Sequence, residues 1–181
     1  MALPVAHVAT AIGFTKTRDL RVVGLLALVA ISPDFDFFLV WCLDLSIALY
    51  HRTFSHSILF ALSVAVLYRL LLPGYQHRFS AGLVLLALLS HSLVDMICTA
   101  DAADHGVMLF WPFSEIRLGW PLVVPLYARF SESPFSAQGA FRFTMLEIVL
   151  APIYWGSAAV LGAPLRKFRF FQPSSQDEVG Q

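Results

Sequence analysis

The chain has 181 residues, of which 58% are hydrophobic and only 13% charged, with a mean hydropathy of +0.72. That balance excludes a water-soluble single domain of this size and makes lipid the solvent for much of the surface. A formal net charge of zero points away from nucleic acid as a partner.

The first residues, MALPVAHVAT, lack a basic segment followed by a long apolar run. No cleavable signal peptide is therefore expected, and insertion falls to the internal helices. Pro4 to Phe14 predict a short helix that cannot span, ending in the basic turn Lys16 to Arg21. Val22 to Trp41 predict a span with an irregular end, because Ser32-Pro33-Asp34-Phe35-Asp36 places a proline and two acids in the apolar run. Phe54 to Pro73 and Phe79 to Thr99 predict two more spans, an antiparallel pair joined by the short turn Gly74 to Arg78. Ala100 to Phe143 read as a long connection folded over one membrane face, with Trp111, Trp120, Tyr127 and Phe130 in an interfacial layer. Met145 to Leu161 predict the fourth span, and the polar tail 172–181 is expected to be disordered. Cys42 and Cys98 stand alone, without CxxC spacing, and suit helix packing better than a disulfide or a thiolate metal site. The expected architecture is an all-α, polytopic membrane helix bundle: one domain over residues 1–171, with about four long apolar helices plus the short N-terminal helix. No internal repeat is visible.

Basic residues set the expected orientation, since short cytoplasmic loops are enriched in Lys and Arg. Lys16, Arg18, Arg21, Arg69, Arg78, Arg166, Lys167 and Arg169 fall at one set of helix ends, and Arg52, Arg117, Arg129 and Arg142 at the other. The first set is expected in the cytoplasm. Asp34, Asp36, His56, His91 and Asp95 then converge on the non-cytoplasmic half, delivered there by helices of different direction.

His91 and Asp95 are four residues apart on one helix, so both side chains leave the same face and can share a metal. A helix-stabilising His–Asp hydrogen bond is the plainer explanation, but a buried acid in a membrane span is costly and usually functional. His51 and His56 sit where a loop enters a helix, with Ser55 placed to cap it, and are candidate ligands. Arg52 between them suits a clamp for a substrate phosphate or carboxylate, or an exposed salt bridge. Of Asp34 and Asp36, one is expected to ligate, and the other to cap, to orient a histidine or to act as general base. His7 is the N-terminal candidate, held at the same depth by its short helix. Glu147 is a further possible ligand or supporting acid, or else a partly exposed carboxylate at a helix start. His77, His105, Asp101 and Asp104 fit the cluster less well.

Histidine and carboxylate donors without cysteine suit zinc, manganese or iron. So many donors exceed one tetrahedral ion. Two divalent ions about 4 Å apart, bridged by a carboxylate, would suit phosphatase-type hydrolysis by metal-activated water. The rival is a metal-ion transporter or sensor with the same ligands. It should show a polar path to the cytoplasm, whereas Ile58 to Leu67 and Gly82 to Leu89 are almost wholly apolar.

The ordered set His7, Pro33 to Asp36 (PDFD), His51 to Ser57 (HRTFSHS), His91 to Asp95 (HSLVD) and Gly106 to Phe113 (GVMLFWPF) resembles the YdjM-like inner-membrane metal-dependent hydrolases. The resemblance covers most of residues 5 to 115. It implies a membrane-bound hydrolase of the inner membrane; the ligand chemistry makes an ester or phosphodiester, of a small molecule or a lipid, the expected substrate. It places the family's ligand pattern on His7, Asp34, Asp36, His51, His56, His91 and Asp95, and implies that the GVMLFWPF segment lines a substrate pocket. More distantly, an Asp followed by His and HxxxD resembles the zinc-dependent phospholipase C and nuclease superfamily. Arg142 and Glu147 stand where that superfamily would have a second histidine pair.

Overall fold

The computed structural model describes residues 4–76, 79–99, 105–120, 122 and 137–168. Among these the regular elements are helical: α1 (Pro4–Gly13), α2 (Leu20–Ile31), α3 (Asp36–Cys42), α4 (Ile47–Tyr50), α5 (Ile58–Leu71), α6 (Ala81–Ile97) and α7 (Ala137–Leu165), with short 3-10 turns at Ser32–Phe35, Phe54–His56 and Pro73–Tyr75. The one extended contact among them is an isolated bridge between Val107 and Leu118. His77, Asp101, Asp104, Tyr127, Phe130 and the tail 172–181 lie outside the described residues.

Local chemistry sets the boundaries. Asp19 caps α2 by accepting from the Arg21 amide, and Ser57 and Ser80 cap α5 and α6 by accepting from Phe60 and Leu83. Ser57, not Ser55, is thus the cap of α5. Pro33 breaks the α-helical ladder without ending the element, because the 3-10 turn passes directly into α3.

Among the described residues two elements are long and apolar enough to cross a bilayer, Leu20–Cys42 with 23 residues and Phe141–Leu165 with 25. Four were expected. The other two candidates, α5 and α6, have 14 and 17 residues, or about 21 and 26 Å against the ~30 Å of a hydrocarbon core. Residues 51–57 fold into a turn instead of extending α5, and Pro73 follows its other end.

α1 packs against α7, α2 and α6, while α5 packs on α6. Small residues let these helices approach closely. A β-carbon at Gly13 would meet the Trp155 carbonyl and the Ala158 side chain, so α1 and α7 touch backbone to backbone there. The core is apolar and rich in alanine, with Leu26, Ala30, Ala61, Ala65, Val84, Ala87 and Leu88 buried together. Cys98 is buried, with Sγ 3.7 Å from the Tyr154 hydroxyl, whereas Cys42 is exposed at the end of α3.

The described part of the long connection lies across the helix ends. Met108 donates to the Arg52 carbonyl, the Ile58 amide to Leu109, and the Trp120 amide to Met96. Arg117 ties the segment to itself and to α4 through the Gly106 and Leu49 carbonyls. Trp111 and Trp120 are partly exposed, as an interfacial layer requires.

Candidate metal centre

Three helical elements bring four side chains to one point. The turn after α2 supplies Asp34, the turn before α5 supplies His56, and α6 supplies His91 and Asp95 from one face. One ligand atom from each lies within 4.8 Å of the others. The His56 Nε2 is 3.3 Å from Asp95 Oδ2 and 3.6 Å from Asp34 Oδ1, while the His91 Nε2 is 3.4 Å from Asp34 Oδ1 and 3.8 Å from Asp95 Oδ2. Ligands ~2.0–2.1 Å from a tetrahedral zinc stand ~3.4 Å from one another, so the spacing fits one such ion.

The outward hydrogen bonds fix which nitrogen of each imidazole is free. The His91 Nδ1 lies 2.6 Å from the Ala30 carbonyl. A carbonyl only accepts, so this nitrogen carries the hydrogen and Nε2 presents its lone pair inward. Ser55 spends its hydroxyl hydrogen on Asp36 Oδ2 at 2.5 Å and accepts from the His56 Nδ1 at 2.9 Å. His51 donates through Nδ1 to Asp36 Oδ1 at 2.7 Å, which leaves its buried Nε2 without a partner, 3.9 Å from Asp34 Oδ1. The His56 and His91 Nε2 atoms face each other at 3.0 Å. If both imidazoles are neutral they confront lone pair with lone pair beside two carboxylates, a conflict that a metal ion, or a proton on one ring, resolves.

Charge points the same way. Three carboxylates (Asp34, Asp36, Asp95) stand against one guanidinium, Arg52, whose side chain is 4% exposed. Two negative charges are left uncompensated, and burying them without a counter-ion is expensive.

Arg52 does not face outward as a substrate clamp, nor is it an exposed salt bridge. It donates to Asp95 Oδ1, the Thr99 hydroxyl and the His105 carbonyl, each at 2.8 Å. Its backbone has a φ of 63°, unusual for a residue with a side chain. This conformation lets its amide reach Asp36 Oδ2 while its carbonyl accepts from Met108. With Asp95 Oδ1 taken, Oδ2 lacks a hydrogen-bond partner and faces the cluster.

His7, wholly buried, stacks on His91 with ring centroids 3.7 Å apart, has no hydrogen bond at either nitrogen, and places Nε2 3.8 Å from Asp95 Oδ1. Glu147 is not among the clustered four. It is fully buried, and it accepts from the Ala6 amide at 3.3 Å, which anchors the first turn of the helix that carries His7. Asp36 also stands outside the four, with both oxygens engaged. Sequence reasoning missed Ser92, which donates to the His56 carbonyl, Thr99, and the bridging role of Ser55. Their signal was a run of hydroxyl residues within a turn or two of the ligands in apolar segments.

The family described as YdjM inner membrane protein matches residues 1–165. Among curated proteins, inner membrane protein YbcI of Escherichia coli (strain K12) is 32% identical over 105 residues, which cover 55% of this chain and 57% of YbcI. The match thus spans little more than half the length of that relative. No solved structure matches.

Proposed function

This chain belongs to the YdjM inner membrane protein family, and from that premise we propose that it is a multi-pass, divalent-metal-dependent hydrolase. It cleaves an ester or phosphodiester at the non-cytoplasmic face. The observation that carries the reading is the convergence of the His56 and His91 lone pairs with Asp34 and Asp95, with no donor among the four. Zinc suits this nitrogen and oxygen set, with manganese or iron as chemical alternatives. The bound ion would polarise the scissile group and activate water.

The chain's own residues do the rest. Arg52 holds Asp95 by one oxygen and leaves the other for the ion. Asp36 and Ser55 keep His51 and His56 in the tautomers that face inward. His51, its Nε2 unpartnered beside Asp34, is placed to take or give a proton, with Asp36 behind it as the orienting carboxylate. A two-ion form of the site would draw on His7 and His51, the flanking imidazoles with free nitrogens.

Among the described residues, Lys16, Arg18, Arg21, Arg69, Arg166 and Lys167 lie at the helix ends away from the cluster, which supports a cytoplasmic location for that end. The transporter reading is weakened by the apolar plug of Leu26, Val84, Ala87 and Leu88 beneath the cluster.

The test is release of product from ester and phosphodiester panels by the purified, zinc-loaded protein. Turnover that disappears in His51→Ala, with the ion at the clustered four retained, supports the reading. A metal-loaded protein that cleaves no member of either panel overturns it.

A further inference from the structure

We propose that the substrate reaches the cluster from the lipid phase: a membrane lipid whose ester or phosphodiester is presented sideways to Asp34, past Phe38. This deepens the hydrolase reading and rests on it.

Depth is the first argument, and two separate helices give it. Asp34 is eight residues before the end of the apolar element at Cys42. Glu147 is six residues inside the other long span, which begins at Phe141, and its carboxylate holds Ala6 beside His7. At 1.5 Å per residue the two helices place the cluster ~9–12 Å inside the ends of their apolar spans. Trp41, 69% exposed at the rim of the first span, suits the headgroup level. The interfacial layer is ~5–8 Å thick on each side, so the cluster lies a few ångström inside the hydrocarbon, just below the boundary where the ester linkages of lipids are found.

Access is the second argument. His56, His91 and Asp95 are at most 1% exposed, whereas the Asp34 side chain is 24% exposed. The opening of the cluster is therefore on the Asp34 side. Phe38 lies four residues beyond Asp34, in the first turn of α3 and nearer the rim, and its neighbour Phe37 stands edge-on to His51 with ring centroids 6.2 Å apart. Phe35 and Phe38 are both more than half exposed. The polar end of the bundle is strapped over by the 105–120 segment, through the hydrogen bonds of Met108 to Arg52, Ile58 to Leu109 and Trp120 to Met96. Among the described residues, a solute from water would meet the strap or the exposed phenylalanines, an apolar surface that suits lipid better than water.

The experiment uses the zinc-loaded full-length protein in lipid nanodiscs doped with a phospholipid carrying a diazirine beside its glycerol ester. After irradiation, adducts are mapped by mass spectrometry. Adducts on the Asp34 or His51 side chains are expected, suppressed by excess unlabelled phospholipid but not by a soluble glycerophosphodiester. They are expected to be lost in Phe38→Glu, which keeps the wild-type zinc content. Adducts confined to outer positions such as Leu70, Leu71 and Val160, or adducts that the soluble headgroup competes away, would overturn the proposal. The readout needs no turnover: labelling at Asp34 without cleavage of any panel removes the hydrolase reading alone, and cleavage of soluble esters without labelling removes lipid access alone.

Discussion

Along α5 and α6, Ala61, Ala65, Val84, Ala87 and Leu88 meet Leu26 of α2 through apolar, close-packed contact. At the other end of the same helices His56, His91 and Asp95 meet Asp34, with hydrogen bonds to Ala30, Ser55, Ser92, Thr99 and Arg52 behind them. The first region is non-directional: any set of side chains of the right volume would hold it. The second is directional, and each hydrogen bond decides which atom of a neighbour stays free. The difference teaches that the apolar half supplies stability, whereas the polar half stores binding capacity at a cost that the apolar half offsets.

Substitutions at either end should therefore part stability from metal binding. Asp95→Ala has the largest expected effect, because it removes a ligand and leaves the buried Arg52 guanidinium unpaired. A loss of about 3–5 kcal/mol is predicted, together with loss of the metal, read by unfolding in detergent and by elemental analysis. Leu88→Ala comes next, with about 2–5 kcal/mol lost to a cavity and metal stoichiometry intact below the unfolding midpoint. Metal loss in Leu88→Ala would break the distinction between the halves. Asp36→Asn sharpens it from the other side: roughly 10–100-fold weaker metal affinity by competition titration, with a smaller drop in stability than Leu88→Ala. Leu70→Ala, on the exposed face of α5, should change stability by no more than about 0.5 kcal/mol and leave the metal untouched.

The directional half was largely legible in the sequence, because an acid or histidine in an apolar run has few inexpensive reasons to be there. His91 and Asp95 at i, i+4, the acids after Pro33, His56 and His7 were all marked in this way, and the structure brings them to one place. The division of labour among them was not legible. Whether Asp34 or Asp36 faces the cluster depends on how a 3-10 turn rotates the chain, and Arg52 turns inward only because its φ is positive. Ser55 looked like a cap because it precedes an apolar run, yet the helix begins two residues later at Ser57. The start of the third predicted span, at Phe54, was set too early, because residues 54–57 fold as a turn that serves the site and the helix begins only at Ile58. Glu147 was placed at the correct end, but its partner, the Ala6 amide, lies 141 residues away and leaves no local trace.

Elemental analysis of the purified protein beside His56→Ala and His91→Ala tests the central claim most directly. A stoichiometric divalent metal in the wild type, absent from both variants while each still purifies as a folded helical protein, is the predicted result. A wild type without stoichiometric metal, or variants that carry as much as the wild type, would contradict it.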